Sequence, residues 1–253
     1  MQQHVKSRPD APAGFFAAEA AGLRWLAAAG GARIARVIDV ADDRIALERI
    51  AEAAPTPAAA AAFGAALGAT HAAGAEAFGA PPPGWVGDIF IGRRPQPARP
   101  EPTWGAFYAA QRVEPFVPLA VAAGNLSESG AEVVGRACAL IAHGAFDDDE
   151  PPARLHGDLW AGNVLWAAEE VVLIDPAAHG GHRETDLAML ALFGCPFLDD
   201  ILTAYDAARP LREGWRARVP VHQLHPLAVH AAGHGRSYGR ALVSAAERTL
   251  ALG

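Results

Sequence analysis

Two short apolar runs, Val164 to Trp166 and Val171 to Ile174, flank the turn-like pair Glu169-Glu170. Runs this short around a polar turn read as the strands of a hairpin. A hairpin returns the chain to the point where it left, so the residues before the first strand meet those after the second. Here those residues are Asp158 and Asn163 on one side and Asp175 on the other. Whatever the rest of the chain does, it must be built around two carboxylates and an amide held at one end of a ribbon.

The surrounding pattern divides into two parts. His4-Val5-Lys6 alternates as a strand before the turn residues Pro12 to Gly14. Phe16, Leu23 and Leu26 recur at helical spacing from Phe15 to Ala29, ahead of the stop signal Gly30-Gly31. Ile34 to Val40 and Arg44 to Ile50 read as two strands joined by Ala41-Asp42-Asp43. Thr56 then caps a helix with Pro57 in its first turn, running to about Ala73. Proline-rich Phe78 to Pro102 reads as a long irregular loop. Helical patterns follow from Thr103 through Val113, and over Ser129–His143, Thr185–Phe193, Leu198–Ala208, Pro220–Ala232 and Ser237–Leu250. The expected class is α+β in two lobes, a small mixed-sheet lobe over residues 1–52 and a larger, mainly helical lobe over 53–253.

Composition narrows the partners. With 51% hydrophobic and 19% charged residues in 253, and a mean hydropathy of +0.11, the chain is neither a disordered acidic tail nor a membrane protein. Its alanine runs are broken by Gly64 and Gly68 far short of the roughly 18 residues a membrane span needs. A net charge of -7 argues against nucleic acid as a partner. Two cysteines cannot build a disulfide framework, and Met1 to Asp10 holds no apolar signal segment, so the expected setting is the cytoplasm. A monomer is expected.

In Leu155-His-Gly-Asp-Leu-Trp-Ala-Gly-Asn163, the aspartate is followed five residues later by asparagine, the spacing of a kinase catalytic loop. Asp175 follows a strand, where kinases place the carboxylate that holds magnesium. Phosphoryl transfer needs one carboxylate to accept the proton of the attacking hydroxyl and hard oxygen ligands for Mg²⁺. Asp158 suits the first task, Asn163 and Asp175 the second. Taken singly, each is as readily a turn former or strand terminator; their convergence is what points to chemistry.

The segments His156-Gly-Asp-Leu-Trp-x-Gly-Asn163, Ile174-Asp-Pro-Ala177 and Gly181-His-Arg-Glu-Thr-Asp-Leu-Ala-Met-Leu-x-Leu-Phe-Gly194 resemble the signatures of the fructosamine (ketosamine-3-) kinase family, in the aminoglycoside-phosphotransferase-like branch of the protein-kinase-like fold. The resemblance runs from about Val5 to the C-terminal helix. It implies ATP- and Mg²⁺-dependent phosphorylation of the 3-hydroxyl of a small-molecule or protein-bound ketoamine sugar, after which the amine can be freed. It also implies Lys6 as the ATP-phosphate lysine, Glu19 as its helix partner, and Leu47-Glu48-Arg49-Ile50 as the adenine hinge. Asp186 would hold the catalytic loop and Trp160 would line the sugar pocket. His179-Gly-Gly-His182 lies close to the predicted site in sequence, and both histidines are expected to meet substrate.

Family members have two strands and a glycine loop ahead of the lysine strand, whereas five residues precede Lys6. Roughly 15 to 20 residues are therefore expected to be missing, leaving Lys6 on a fraying end and ATP weakly held. Two rivals follow: a degenerate, non-catalytic nucleotide-binding protein, and a phosphotransferase for aminoglycosides or choline-like amines. The pairs His222/His225 and His230/His234 share helical faces at metal-ligand spacing, but read as packing residues.

Overall fold

A computed structural model describes residues 2–253. The first part comprises β1 (Gln3–Ser7), α1 (Phe15–Ala27), β2 (Arg33–Ile34), β3 (Val37–Ala41), β4 (Arg44–Glu48) and α2 (Pro57–Ala72). It continues with β5 (Ile89–Ile91), β6 (Arg94–Gln96) and α3 (Trp104–Phe107). A wide π turn over Tyr108–Val113 leads on to α4 (Val117–Ala122) and α5 (Glu128–Ala142). The remainder is β7 (Ala153–Leu155), β8 (Val164–Trp166), β9 (Val171–Leu173), β10 (His179–Gly181), α6 (Glu184–Phe193), α7 (Leu198–Ala208), α8 (Trp215–Ala231) and α9 (Arg236–Leu250).

β1, β4 and β3 form an antiparallel sheet in that order. All five residues of β1 pair with β4, and Lys6 lies opposite Ile45 on this edge strand. The strand expected over Ile34–Val40 is two strands. Ile34 leaves this sheet to pair in parallel with Leu173, where its side chain is buried, and the chain then returns to β4 through a bulge between Val37 and Asp39. β8 and β9 form the expected hairpin, Val164 facing Leu173.

The expected loop over 78–102 contains a second hairpin, β5–β6, turned at Gly92 with φ 55°. Proline concealed it, although a two-stranded ribbon is all edge and tolerates Pro95. α8 begins at Trp215, ahead of the expected Pro220, and keeps Pro226 inside. Proline has no N–H for the carbonyl four residues back. Tyr108 supplies the missing donor, its hydroxyl donating to His222 O at 2.7 Å.

One apolar core joins α1, β2, β4, α2, β8, β9 and α7 through Phe16, Leu23, Ile45, Phe63, Leu173 and Tyr205; it therefore locks the small sheet to the β8–β9 hairpin. A second core lies among α3, α5, α8 and α9. α2 and α7 touch at Gly64, where a β-carbon would stand 2.1 Å from the Ile201 carbonyl oxygen. Backbone cannot yield as a side-chain tip can, so Gly64→Ala is expected to cost about 1–3 kcal/mol, read as a lower urea midpoint.

Candidate active site

The segment 156–163 hangs between β7 and β8 and is pinned at its start by Asp186 of α6. The His156 N–H donates to Asp186 Oδ2 at 2.8 Å and the Gly157 N–H to Oδ1 at 3.0 Å. Gly157 has φ 79°, and a β-carbon there would meet the Ala177 carbonyl oxygen at 2.1 Å, so glycine is required. His71 of α2 lies 3.2 Å from Asp186 and 2.8 Å from the Tyr205 hydroxyl of α7, all buried. Burial alone would raise the Asp186 carboxyl. Hydrogen bonds from His71 and Gly157, with His71 and His156 beside it, hold it below the usual carboxylate range. The His156 Nε2–H donates to Ile174 O at 2.9 Å while Nδ1 accepts from the Asp158 N–H at 3.3 Å, one tautomer serving both. This ring ties the loop to the end of the hairpin.

The three convergent residues meet as the hairpin requires. Asn163 Nδ2 donates to Asp158 O at 2.8 Å, to Asp158 Oδ2 at 3.2 Å and to Asp175 O at 3.4 Å. Asp175 has φ 54°, a left-handed conformation that a non-glycine residue adopts at some cost and that is typical of functional turns. Lys6 Nζ donates to both Glu19 and Asp175, so strand, helix and hairpin are joined by one ammonium. Burial, reinforced by Asp175 and Asp186, pushes the Asp158 carboxyl up to about 7 against the Asn163 hydrogen bond. Burial raises Glu19 as well, with Lys6 opposing.

Two cavities flank this cluster. One, about 320 Å³, is bordered by Arg8, Phe15, Phe90, Asp158, Trp160 and Asn163. The other, about 890 Å³, is bordered by Leu47, Glu48, Ile50, Leu165 and Ile174. Lys6 and Asp175 border both. The donors available at that junction, Asp175 carboxylate and Asn163 amide oxygens, are hard ligands that suit Mg²⁺. The Glu48 carboxylate is engaged by Arg33 at 3.2 Å and the Arg36 N–H at 3.1 Å, so that side chain is a strut of the cavity wall. Trp160, 42% exposed, lies over Gly162, where a β-carbon would meet its ring at 2.3 Å.

His179 and His182 do not border either cavity. His179 is buried, with Nδ1 on Ala177 O at 2.7 Å and Nε2 accepting from Arg112 Nε at 3.4 Å. His182 is buried against Asp148 at 3.3 Å and accepts from the Glu184 N–H at 3.2 Å. Residues that the sequence reading passed over, Arg8, Phe15 and Phe90, border the smaller cavity. For Arg8 a signal was present: two positions after Lys6 on an extended segment is the same face.

His182, Glu184 and His222 come together with ligand atoms within 4.8 Å of one another. Their hydrogen bonds argue against a metal there: His182 Nδ1 accepts a backbone N–H, which leaves the proton on Nε2 facing Asp148, and Arg218 binds both Glu184 oxygens at 2.6 and 3.0 Å. The cluster is a buried polar brace. Burial brings His222 down to about 4, against Glu184 beside it, and burial of Glu184 is outweighed by hydrogen bonds from His222 and Arg218 that hold it at about 2. Both values lie below the ordinary 6.5 and 4.5, so the stability they confer is complete above about pH 6.5 and drains away as pH falls toward 2. Urea unfolding across pH 7 to 3 is expected to show that decline, about 2 kcal/mol of it from Glu184 between pH 4.5 and 3, and a shallower acid limb in Glu184→Gln.

The sequence model of the fructosamine kinase family matches residues 2–251. A Lactiplantibacillus plantarum protein assigned as a ketoamine kinase is 33% identical over 246 residues, 95% of this chain and 84% of that one. An Enterococcus faecium protein with the same assignment is 35% identical over 161 residues, spanning 63% of this chain and 58% of its own length. A solved Thermobifida fusca structure assigned as a fructosamine-3-kinase has a TM-score of 0.91 at 49% identity, covering 98% of this chain and 85% of that one. A choline/ethanolamine kinase family protein from Mesorhizobium loti has a TM-score of 0.60 at 17% identity, covering 100% and 86%, a likeness of fold that makes this architecture protein-kinase-like.

Proposed function

Because the chain belongs to the fructosamine kinase family, we propose that it transfers the γ-phosphoryl group of ATP to the 3-hydroxyl of a ketoamine sugar of fructosamine or ribulosamine type. The observation that supports this is the Asp158–Asn163–Asp175 cluster at the junction of two cavities, with Lys6 and Asp175 reaching both. The larger cavity takes the nucleotide, with the segment Leu47 to Ile50 toward its base. The smaller takes the acceptor, with Trp160 offering a flat apolar wall.

Asp158 accepts the proton of the acceptor hydroxyl. Its backbone is fixed from both ends, by His156 and by Asn163, so the carboxylate is presented without reorganisation. Asp186 and His71 act behind it as a support. Lys6 steadies the phosphates from the strand side, and Glu19 aims the ammonium. Asn163 and Asp175 would hold Mg²⁺, which supplies charge neutralisation for the phosphate oxygens. The product is a 3-phosphorylated ketoamine whose breakdown frees the amine, a deglycation role. Residues 1–52 serve as the nucleotide lobe and 53–253 as the catalytic lobe of a cytoplasmic, monomeric enzyme.

The test is a panel of fructosamines, ribulosamines, aminoglycosides and choline with Mg²⁺ and ATP, the phosphorylated position read by NMR. Transfer to C3 of a ketoamine is expected. Transfer to an aminoglycoside or choline alone would contradict the acceptor, and ATP binding without transfer to any of them would contradict an enzyme.

A further inference from the structure

The geometry points to Arg8 as an anchor for an oxyanion carried by the acceptor itself, a negative group separate from the reacting hydroxyl. The inference rests on the kinase reading for which cavity takes the acceptor. Arg8 borders the smaller cavity together with Phe15, Phe90 and Trp160, whereas the nucleotide-side cavity includes Lys6 but not Arg8. A guanidinium in that place reads the acceptor rather than ATP.

Its donor is unspent. Arg8 Nη1 is shielded from solvent and has no acceptor among the described residues. Glu19, the carboxylate within electrostatic reach of Arg8, is hydrogen-bonded by Lys6 rather than by the guanidinium, and Asp10 faces Arg93 at 3.9 Å. The group is also held in place. The guanidinium lies over the Phe15 ring at 4.5 Å, and Phe15 packs edge-on against Phe16 at 5.0 Å and Phe90 at 5.2 Å. The Arg8 backbone is fixed at both ends, its N–H donating to Asp43 O at 2.8 Å and its carbonyl accepting from the Ala11 N–H at 3.1 Å. A shielded N–H without an acceptor costs folding energy that a solvated one does not, and here it is the Nη1 arm of a half-exposed guanidinium. A carboxylate or phosphate group reaching it forms a charge-assisted, fork-shaped hydrogen-bond pair in which the Nη1 arm does not first compete with water. Two acceptor classes bear such a group beside a ketoamine: those whose amine portion is an amino acid, through its carboxylate, and those whose sugar is a phosphate ester.

Two matched pairs separate these sources. Calorimetry on the full chain would compare fructosylglycine with fructosylglycinamide, and a propylamine ribulosamine with and without a 5-phosphate. Wild type is expected to bind the charged member of at least one pair about 10–100-fold more tightly than its neutral partner, and the pair that discriminates identifies the source. Arg8→Gln is expected to bring that ratio close to one, and Arg8→Lys, which keeps the charge but loses the fork, to leave an intermediate ratio. Equal affinity within both pairs, binding of none of the four, or a ratio that survives in Arg8→Gln would overturn the inference. If Arg8→Gln fails to fold, an Arg8→Lys ratio equal to wild type overturns it and a reduced one supports it. Phosphoryl transfer is scored separately: transfer without discrimination overturns this inference alone, and discrimination in binding without transfer overturns the kinase reading alone.

Discussion

Asp158→Asn is expected to lower turnover by about 10²–10⁴-fold while nucleotide affinity and the unfolding midpoint stay close to wild type, because general-base catalysis is worth that much in rate. The substitution keeps shape. Asn163 still donates to the backbone carbonyl of residue 158, and His156 still receives its N–H, so the loop keeps its course. What is lost is a carboxylate that burial and two neighbouring carboxylates have moved up to about 7, close to where a base both holds and releases a proton readily. Single-turnover kinetics beside ATP titration separates the two effects. Near-normal turnover would remove Asp158 from the chemistry.

Asp175→Ala is expected to act on binding. The side chain is the partner of Lys6 and borders both cavities, and it is the carboxylate proposed to hold Mg²⁺. Loss of groups supporting a metal ligand costs about 10–100-fold in affinity, and loss of the ligand itself is expected at the upper end of that range. Calorimetry with Mg·ATP is the measurement. Unchanged affinity would contradict the assignment, and a loss seen equally with ATP in the absence of Mg²⁺ would place the effect on Lys6 instead.

What the sequence revealed and what it hid follow from the range over which each feature is determined. Asp158, Asn163 and Asp175 are within eighteen residues and are joined by a hairpin whose strands are plain in the apolar pattern, so local reasoning was enough to bring them together. Lys6 and Glu19 are brought into contact by tertiary structure, β1 pairing with β4 while α1 packs on β3 and β4; alternation and helical spacing gave each a face, and the family resemblance paired them. β7 and β10 have three residues each, too few for periodicity to register, yet they bracket the loop that holds Asp158. The hairpin that brings Phe90 to the smaller cavity was hidden by its prolines. His179 and His182 stand beside glycines in a polar-looking segment, and only the tertiary structure shows that Arg112, Asp148 and backbone groups already engage them. Arg8 is the converse, an ordinary surface charge by sequence and an unpaired donor in the fold.

The central claim is that one cation at Asn163 and Asp175 stands between two substrates in two cavities. Substituting Mn²⁺ for Mg²⁺, with a non-hydrolysable ATP analogue and a ketoamine labelled with ¹³C at C3, tests it by paramagnetic relaxation. The expected result is broadening of both the nucleotide ³¹P signals and the acceptor C3 signal, with both effects lost in Asp175→Ala. Broadening of the nucleotide alone, with a bound acceptor carbon left sharp, would contradict it.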